Sequence, residues 1–197
     1  MNITSQHLSL HRNHNRLAWR CAASPSLRLL ALLLFPGIAT QAQITYQSIL
    51  DANKTPEQWL TYNGNYEGHR HSKLSEITSR NVSEMRLKWV FQRGFKHKFE
   101  TSPIVVGSVM YLTVPPNEVY AVDAKTGVQL WHYNRHLPPK TVACCGKVNR
   151  GLAIHGDRLF MGTLDSYLIS LDRKTGRLLW ESELFDYEQG YGVTLAP

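Results

Sequence analysis

Between residues 104 and 180 the apolar positions come in short bursts. Ile104–Val106, Val109–Val114, Val119–Val122 and Gln129–Tyr133 are β-branched or aromatic runs cut by turn residues. Such runs predict strands. The pattern then returns 49 positions later. Val119-Tyr-Ala-Val-Asp-Ala-Lys-Thr-Gly-Val-Gln-Leu-Trp131 aligns with Leu168-Ile-Ser-Leu-Asp-Arg-Lys-Thr-Gly-Arg-Leu-Leu-Trp180, so that Asp123 meets Asp172, Gly127 meets Gly176 and Trp131 meets Trp180. Upstream, Gly107 meets Gly156. A period of this size marks a solenoid, a propeller or an array. Four short strands in each period predict an all-β fold built of propeller blades. Asp-x-Lys-Thr-Gly predicts a tight turn, in which the Asp side chain bonds the amides ahead of it and Gly tolerates positive φ. The Trp that follows is expected to pack between adjacent blades, which makes it structural and not chemical.

Helical signal is weak. Thr55-Pro-Glu-Gln-Trp59 predicts a helix start, with Thr as cap and Pro in the first turn. Residues 74–90 mix a capped stretch, Ser83-Glu-Met-Arg-Leu87, with a strand over Leu87–Phe91. Residues 43–197 therefore read as two complete blades with pieces on either side, the N-terminal part of a propeller domain. Two blades cannot close a ring, and would leave strand edges and apolar faces uncovered. Leu195-Ala196-Pro197 falls where a new strand is expected, so the chain reads as the front part of a longer protein.

Residues 1–42 form a different zone. They carry Arg12, Arg16, Arg20 and Arg28, no acidic residue, then the apolar run Leu29–Phe35 and small residues up to Ala42. This order predicts a secretory signal peptide and a periplasmic location. The apolar run is short for a membrane span. Without that segment the net charge falls from +7 to +3, and no basic block with interleaved aromatics remains. Nucleic-acid binding is not indicated.

Several local patterns carry little. His69-Arg70-His71 and His97-Lys98 lack acidic or thiol partners at metal-ligand spacing. Asn53-Lys-Thr and Asn81-Val-Ser are sequons of a kind that chance also produces. Gly190-x-Gly192 precedes an expected strand and is too short for a nucleotide fingerprint. Ser102 and Ser166 lack an acid–base partner nearby.

The most specific feature lies between the two repeats, in Ala143-Cys-Cys-Gly-Lys-Val-Asn-Arg-Gly151. Neighbouring Cα atoms are about 3.8 Å apart, whereas ordinary disulfides span roughly 4.4–6.8 Å. A bridge between Cys144 and Cys145 would close a small, stiff ring. The dipeptide alone equally accommodates two reduced thiols or a pair that bridges to a partner. Export removes Cys21 with the signal and places the remaining pair in an oxidising compartment, which favours a bridge.

At this point the residues resemble the quinoprotein alcohol dehydrogenases, which use pyrroloquinoline quinone (PQQ). Trp59–Leu74 is similar to that family's opening W–YG–Y–G–R–S–L segment, and Asn81–Trp89 to its first N-V–L–W element. Glu100-Thr-Ser-Pro103, the Asp-x-Lys-Thr-Gly…Trp repeats, Cys144-Cys145-Gly…Asn149-Arg-Gly151 and Gly190–Pro197 complete the match across residues 57–197. The resemblance implies an eight-bladed propeller of which this chain holds the first blades. It also implies that Cys144 and Cys145 form a disulfide ring stacking on one face of PQQ. Arg150 would reach the quinone oxygens, Glu100 and Thr194 would bond the cofactor's edge, and Asn149 would shape the turn.

The resemblance places the opposite stacking tryptophan, the ligands of a calcium or lanthanide ion and the catalytic aspartate beyond residue 197. No catalytic residue or metal ligand is therefore expected within the chain. It implies alcohol oxidation to the aldehyde, with a c-type cytochrome as electron acceptor, and leaves homo-oligomerisation open. These 197 residues alone are expected to be inactive. The alternative is a non-catalytic propeller scaffold of the outer-membrane-assembly type. Such a scaffold shares the tryptophan repeats but has no need of a vicinal cysteine ring, Glu100 or Arg150.

Overall fold

The computed structural model describes residues 43–94, 98–143 and 146–197. The expected signal peptide and the two cysteines lie outside the described residues. Two four-stranded antiparallel sheets make up most of the regular secondary structure among the described residues. The first holds β1 (Ile104–Val106), β2 (Val109–Val114), β3 (Glu118–Asp123) and β4 (Gln129–Asn134) in sequential order. The second repeats it with β5 (Ala153–His155), β6 (Arg158–Gly162), β7 (Tyr167–Asp172) and β8 (Leu178–Glu183). Even the register irregularity repeats, between Ala121 and Val122 in one sheet and between Ser170 and Leu171 in the other.

Side-chain alternation along the strands builds the core. Tyr111, Val119 and Ala121 on one sheet share a buried cluster with Leu159, Met161, Ile169 and Leu171 on the other. The opposite face of the first sheet, with Leu112, Val114, Tyr120 and Val122, packs against Phe91. Each Asp-x-Lys-Thr-Gly turn forms as expected. Asp123 Oδ1 accepts from the amides of Lys125 (3.0 Å) and Thr126 (2.8 Å) and from the Thr126 hydroxyl (2.8 Å). Asp172 does the same for Lys174 and Thr175.

The tryptophans connect one blade to the next. Trp131 Nε1 donates to the Arg173 carbonyl at 3.0 Å, with its ring over Gly176. Trp89 Nε1 donates to the Ala124 carbonyl at 3.2 Å, with its ring over Gly127. Trp180, the next in the series, is 37% exposed.

Two local expectations need correction. The helix is not at Thr55 but earlier: α1 (Tyr46–Leu50) starts from a capping box in which Thr45 and Ser48 exchange side-chain to backbone bonds. Thr55 only closes a short 3-10 turn, Ala52–Lys54. Trp59 is then drawn into pairing with β1, exchanging both backbone bonds with Val105 at 2.9 Å, and this tertiary pairing overrides the Thr-Pro signal. Residues 83–87 yield only the 3-10 turn Val82–Glu84, and Leu87–Phe91 joins neither sheet. Side chains anchor that segment instead: Trp89 docks on the Gly127 turn, and Phe91 meets Tyr120 edge-on at 5.2 Å.

Candidate functional site

The segments leading into β1 and β5 lie side by side. Ser102 pairs in parallel with Gly151, and the Ser102 amide donates to the Arg150 carbonyl at 3.0 Å. The Arg150 amide in turn donates to the Thr194 carbonyl at 3.1 Å, which adds a third segment to the row. Converging first-strand entries of this kind define the axial end of a propeller.

Three of the five expected site residues meet there. Arg150 Nη1 donates to Thr194 Oγ1 at 2.8 Å, and Nη2 pairs with Glu100 Oε2 at 3.1 Å. The Arg150 side chain stays 39% exposed and Glu100 33%, so guanidinium edge and carboxylate remain open to a ligand. Thr194 accepts from Arg150 and so keeps its own hydroxyl proton for another acceptor. Asn149 is fully buried and does shape the turn: it takes the Gly151 amide on Oδ1 at 3.1 Å and donates from Nδ2 to the Gly162 carbonyl at 2.8 Å. The Thr113 hydroxyl also donates to the Asn149 carbonyl at 3.2 Å, tying the Arg150 loop to the first sheet.

Beside Arg150 and Thr194 opens a depression of about 180 Å³, lined also by Ala143, Gly146, Val148, Leu164 and Gly192. Cys144 and Cys145 lie outside the described residues, while Ala143 and Gly146 on either side of them border this depression. Val148 and Leu164 were not singled out from the sequence. Leu164 is placed by tertiary bonding: its amide donates to Asn117 Oδ1 at 3.0 Å, and Asn117 Nδ2 donates to Asp165 Oδ1 at 3.0 Å. Asp165 also takes Arg135 Nε at 2.8 Å. No local motif announces that network. Gly190 and Gly192 do sit beside the site, as part of a cradle and not of a nucleotide loop. Among the described residues no group of three His, Cys, Asp or Glu is arranged to hold a metal ion.

Residues 59–181 match the family described as PQQ: glucose/ethanol/alcohol dehydrogenase, beta-propeller domain. The chain belongs to this family. It is 36% identical over 171 residues to the quinoprotein alcohol dehydrogenase PedH of Pseudomonas putida KT2440, covering 86% of this chain and 29% of that protein. It is 38% identical over 181 residues to the lanthanide-dependent methanol dehydrogenase of Methylacidiphilum fumariolicum, covering 89% of this chain and 30% of the relative. Among solved structures, the quinohemoprotein alcohol dehydrogenase ADHIIG of Pseudomonas putida HK5 superposes with a TM-score of 0.73 at 34% identity, over 80% of this chain and 23% of that one. The chain thus spans less than a third of the length of these relatives.

PQQ is a flat quinone that carries carboxylates, and the depression suits both properties. Val148 and Leu164 offer an apolar surface, and Arg150 supplies a cation at the rim. A Cβ built on Gly146 or Gly190 would meet no atom within 4 Å, so the cradle has open space where a ring can lie.

Proposed function

We propose that this chain supplies the first two blades, and one side of the cofactor seat, of an exported PQQ-dependent alcohol dehydrogenase. The observation that carries the proposal is Arg150, held between Glu100 and Thr194 at the rim of the depression. When bound, PQQ would accept the electrons released as an alcohol becomes an aldehyde. The chain's own residues have narrower tasks. Arg150 would present the planar fork of its guanidinium to the negative oxygens of the cofactor. Glu100 and Thr194 fix the plane of that fork, and Thr194 offers a hydroxyl proton to the cofactor's edge. Val148 and Leu164 exclude water beneath the ring. Cys144 and Cys145, bridged to each other, would form the platform on the same side.

Calcium or a lanthanide would complete the site through ligands expected beyond residue 197, and a c-type cytochrome would collect the electrons. The arginine-rich, acid-free leader ending near Ala42 supports export to the periplasm. The Glu100–Arg150–Thr194 cluster favours this reading over a non-catalytic scaffold, which has no use for a charged cluster beside an open cradle.

The test is a titration of PQQ into the purified chain, followed by tryptophan quenching, with Arg150→Ala in parallel. Saturable binding that weakens at least tenfold in the variant is expected. Equal binding by both proteins, or none by either, overturns the proposal. Dye-linked alcohol oxidation by the 197-residue chain with PQQ and metal is expected to stay at background.

A further inference from the structure

The residue that orders this seat from below has no place in the repeat. Arg70 lies in the segment before β1, at φ +52°, a conformation that L-residues other than Gly, Asn and Asp seldom adopt. Its side chain makes four contacts, one of them a bond from Nη2 to the Tyr62 carbonyl at 3.5 Å. Nε donates to Asn63 Oδ1 at 2.7 Å, Nη2 donates to Ser102 Oγ at 3.1 Å, and the guanidinium lies over the Tyr62 ring at 4.8 Å. Ser102 is the pivot of the site's backbone: two residues after Glu100, its amide bonds to Arg150 and its chain pairs with Gly151. The fit is close, since a Cβ on Gly151 would stand 3.1 Å from the Ser102 carbonyl and 3.7 Å from the Tyr62 ring.

We infer that Arg70 is a positioning residue for the cofactor seat, acting through Ser102 to set Glu100 against Arg150. The inference rests on the proposed function above. A strained backbone persists where surrounding contacts over-determine it, and such positions gather at functional sites. Arg70 is exposed, so its bonds contribute little to overall stability. Their effect is on placement. The guanidinium bridges the Tyr62–Asn63 segment and the β1 entry, which are otherwise joined in this region by the Trp59–Val105 pair.

The test uses Arg70→Gly, which relieves the positive φ while removing the side chain, so folding is retained. Hydrogen exchange at the Ser102 and Arg150 amides is compared with exchange in β2 and β3. PQQ affinity is measured by the titration described above. The expected result is exchange at least tenfold faster at those two amides with the strands unchanged, and PQQ binding about tenfold weaker. That is the lower end of what outer partners of a bound group commonly contribute. Ser102→Ala should weaken binding similarly and add little in the double variant, because both changes break one link. Unchanged exchange overturns the inference. Faster exchange with unaltered PQQ affinity overturns it too, since Arg70 would then order the loop without serving the cofactor. Absence of PQQ binding by the unaltered chain is a different result: it overturns the proposed function, and the exchange data still report whether Arg70 orders Ser102.

Discussion

Replacing Gly176 by Ala should weaken the contact between blades far more than the same change at Gly107, and the difference measures tryptophan docking. Both glycines have positive φ, +72° and +58°, so an added methyl meets a similar backbone penalty at each, about 1–2 kcal/mol. Their surroundings differ. A Cβ at Gly107 would find no atom within 4 Å, whereas at Gly176 it would stand 2.5 Å from Cε3 of Trp131. No real Cβ tolerates that distance, so the indole must move. Moving it strains the bond from Nε1 to the Arg173 carbonyl, worth about 1 kcal/mol. Displacing a packed ring adds about 1–3 kcal/mol.

Gly176→Ala should therefore cost about 3–6 kcal/mol against about 1–2 for Gly107→Ala. Folded domains hold only about 5–15 kcal/mol in total, so the first change should bring the chain near its limit. Equilibrium urea unfolding followed by tryptophan fluorescence reads both. With a slope of about 2 kcal/mol per molar, the midpoints should differ by about 1 M or more. Equal midpoints would refute the reasoning, because the ring over Gly176 would then be an incidental neighbour and not the blade contact.

Three further outcomes are expected. Mass spectrometry of the non-reduced, exported protein should show Cys144 linked to Cys145 and no free thiol; free thiols at both positions would remove the platform role. In the complete dehydrogenase, Arg150→Lys keeps the charge but loses the planar fork, so turnover should fall by about 10²–10³ while the melting temperature holds; normal turnover with lowered stability would make Arg150 a structural ion pair. Asp123 is held below the ordinary carboxylate range first by the Thr126 hydroxyl; at Asp172 burial pushes upward but is outweighed by the Thr175 hydroxyl and amide, the Lys174 amide and the Arg177 charge together, so that carboxyl is lowered as well. Depressed values mean that these turns stabilise the fold above about pH 4 and lose that contribution as pH falls through the folded-state values. The urea midpoint of Asp123→Asn/Asp172→Asn should accordingly vary less between pH 5 and 3 than that of the parent, and parallel curves would contradict this.

The strands were legible almost to the residue because their pattern is local. Val109–Val114 alternates between two buried faces, and β2 has those bounds. Trp131 was legible as a docking residue because its spacing from the Asp-x-Lys-Thr-Gly turn repeats. What the sequence hid depends on partners far along the chain. Thr55-Pro56 carries a helix signal, but Trp59 is taken by Val105, 46 positions away. Leu87–Phe91 has strand composition, yet Trp89 and Phe91 anchor it by their side chains to the first blade. Arg70 fell in a His-Arg-His run and within the Trp59–Leu74 segment that resembles the family, but neither pattern points to its partner Ser102, 32 positions away with no periodicity to link them. Val148 and Leu164 carry no local signal, and only the Asn117 and Asn149 bonds bring their loops to one depression.

The repeat itself shows how a propeller separates architecture from chemistry. At the 49-residue offset the turn residues Asp, Lys, Thr and Gly and the Trp coincide, and the turn residues make the same bonds in both blades. The same offset sets Glu100 opposite Asn149, Thr101 opposite Arg150 and Ser102 opposite Gly151. At these positions the copies differ. They lie at the entries to β1 and β5, where the backbones pair across the blades and the Arg150 side chain reaches the rim of the cradle. Thr101 spends its hydroxyl inside the first sheet, accepting from the Thr113 amide and lying 2.9 Å from the Thr113 hydroxyl, whereas Arg150 turns outward to Glu100 and Thr194. One copy of the motif thus anchors the strand entry and the other presents the charge. The shared positions build the turn that each of the two blades carries. A seat for an asymmetric anion needs the positions that stacking leaves free to differ.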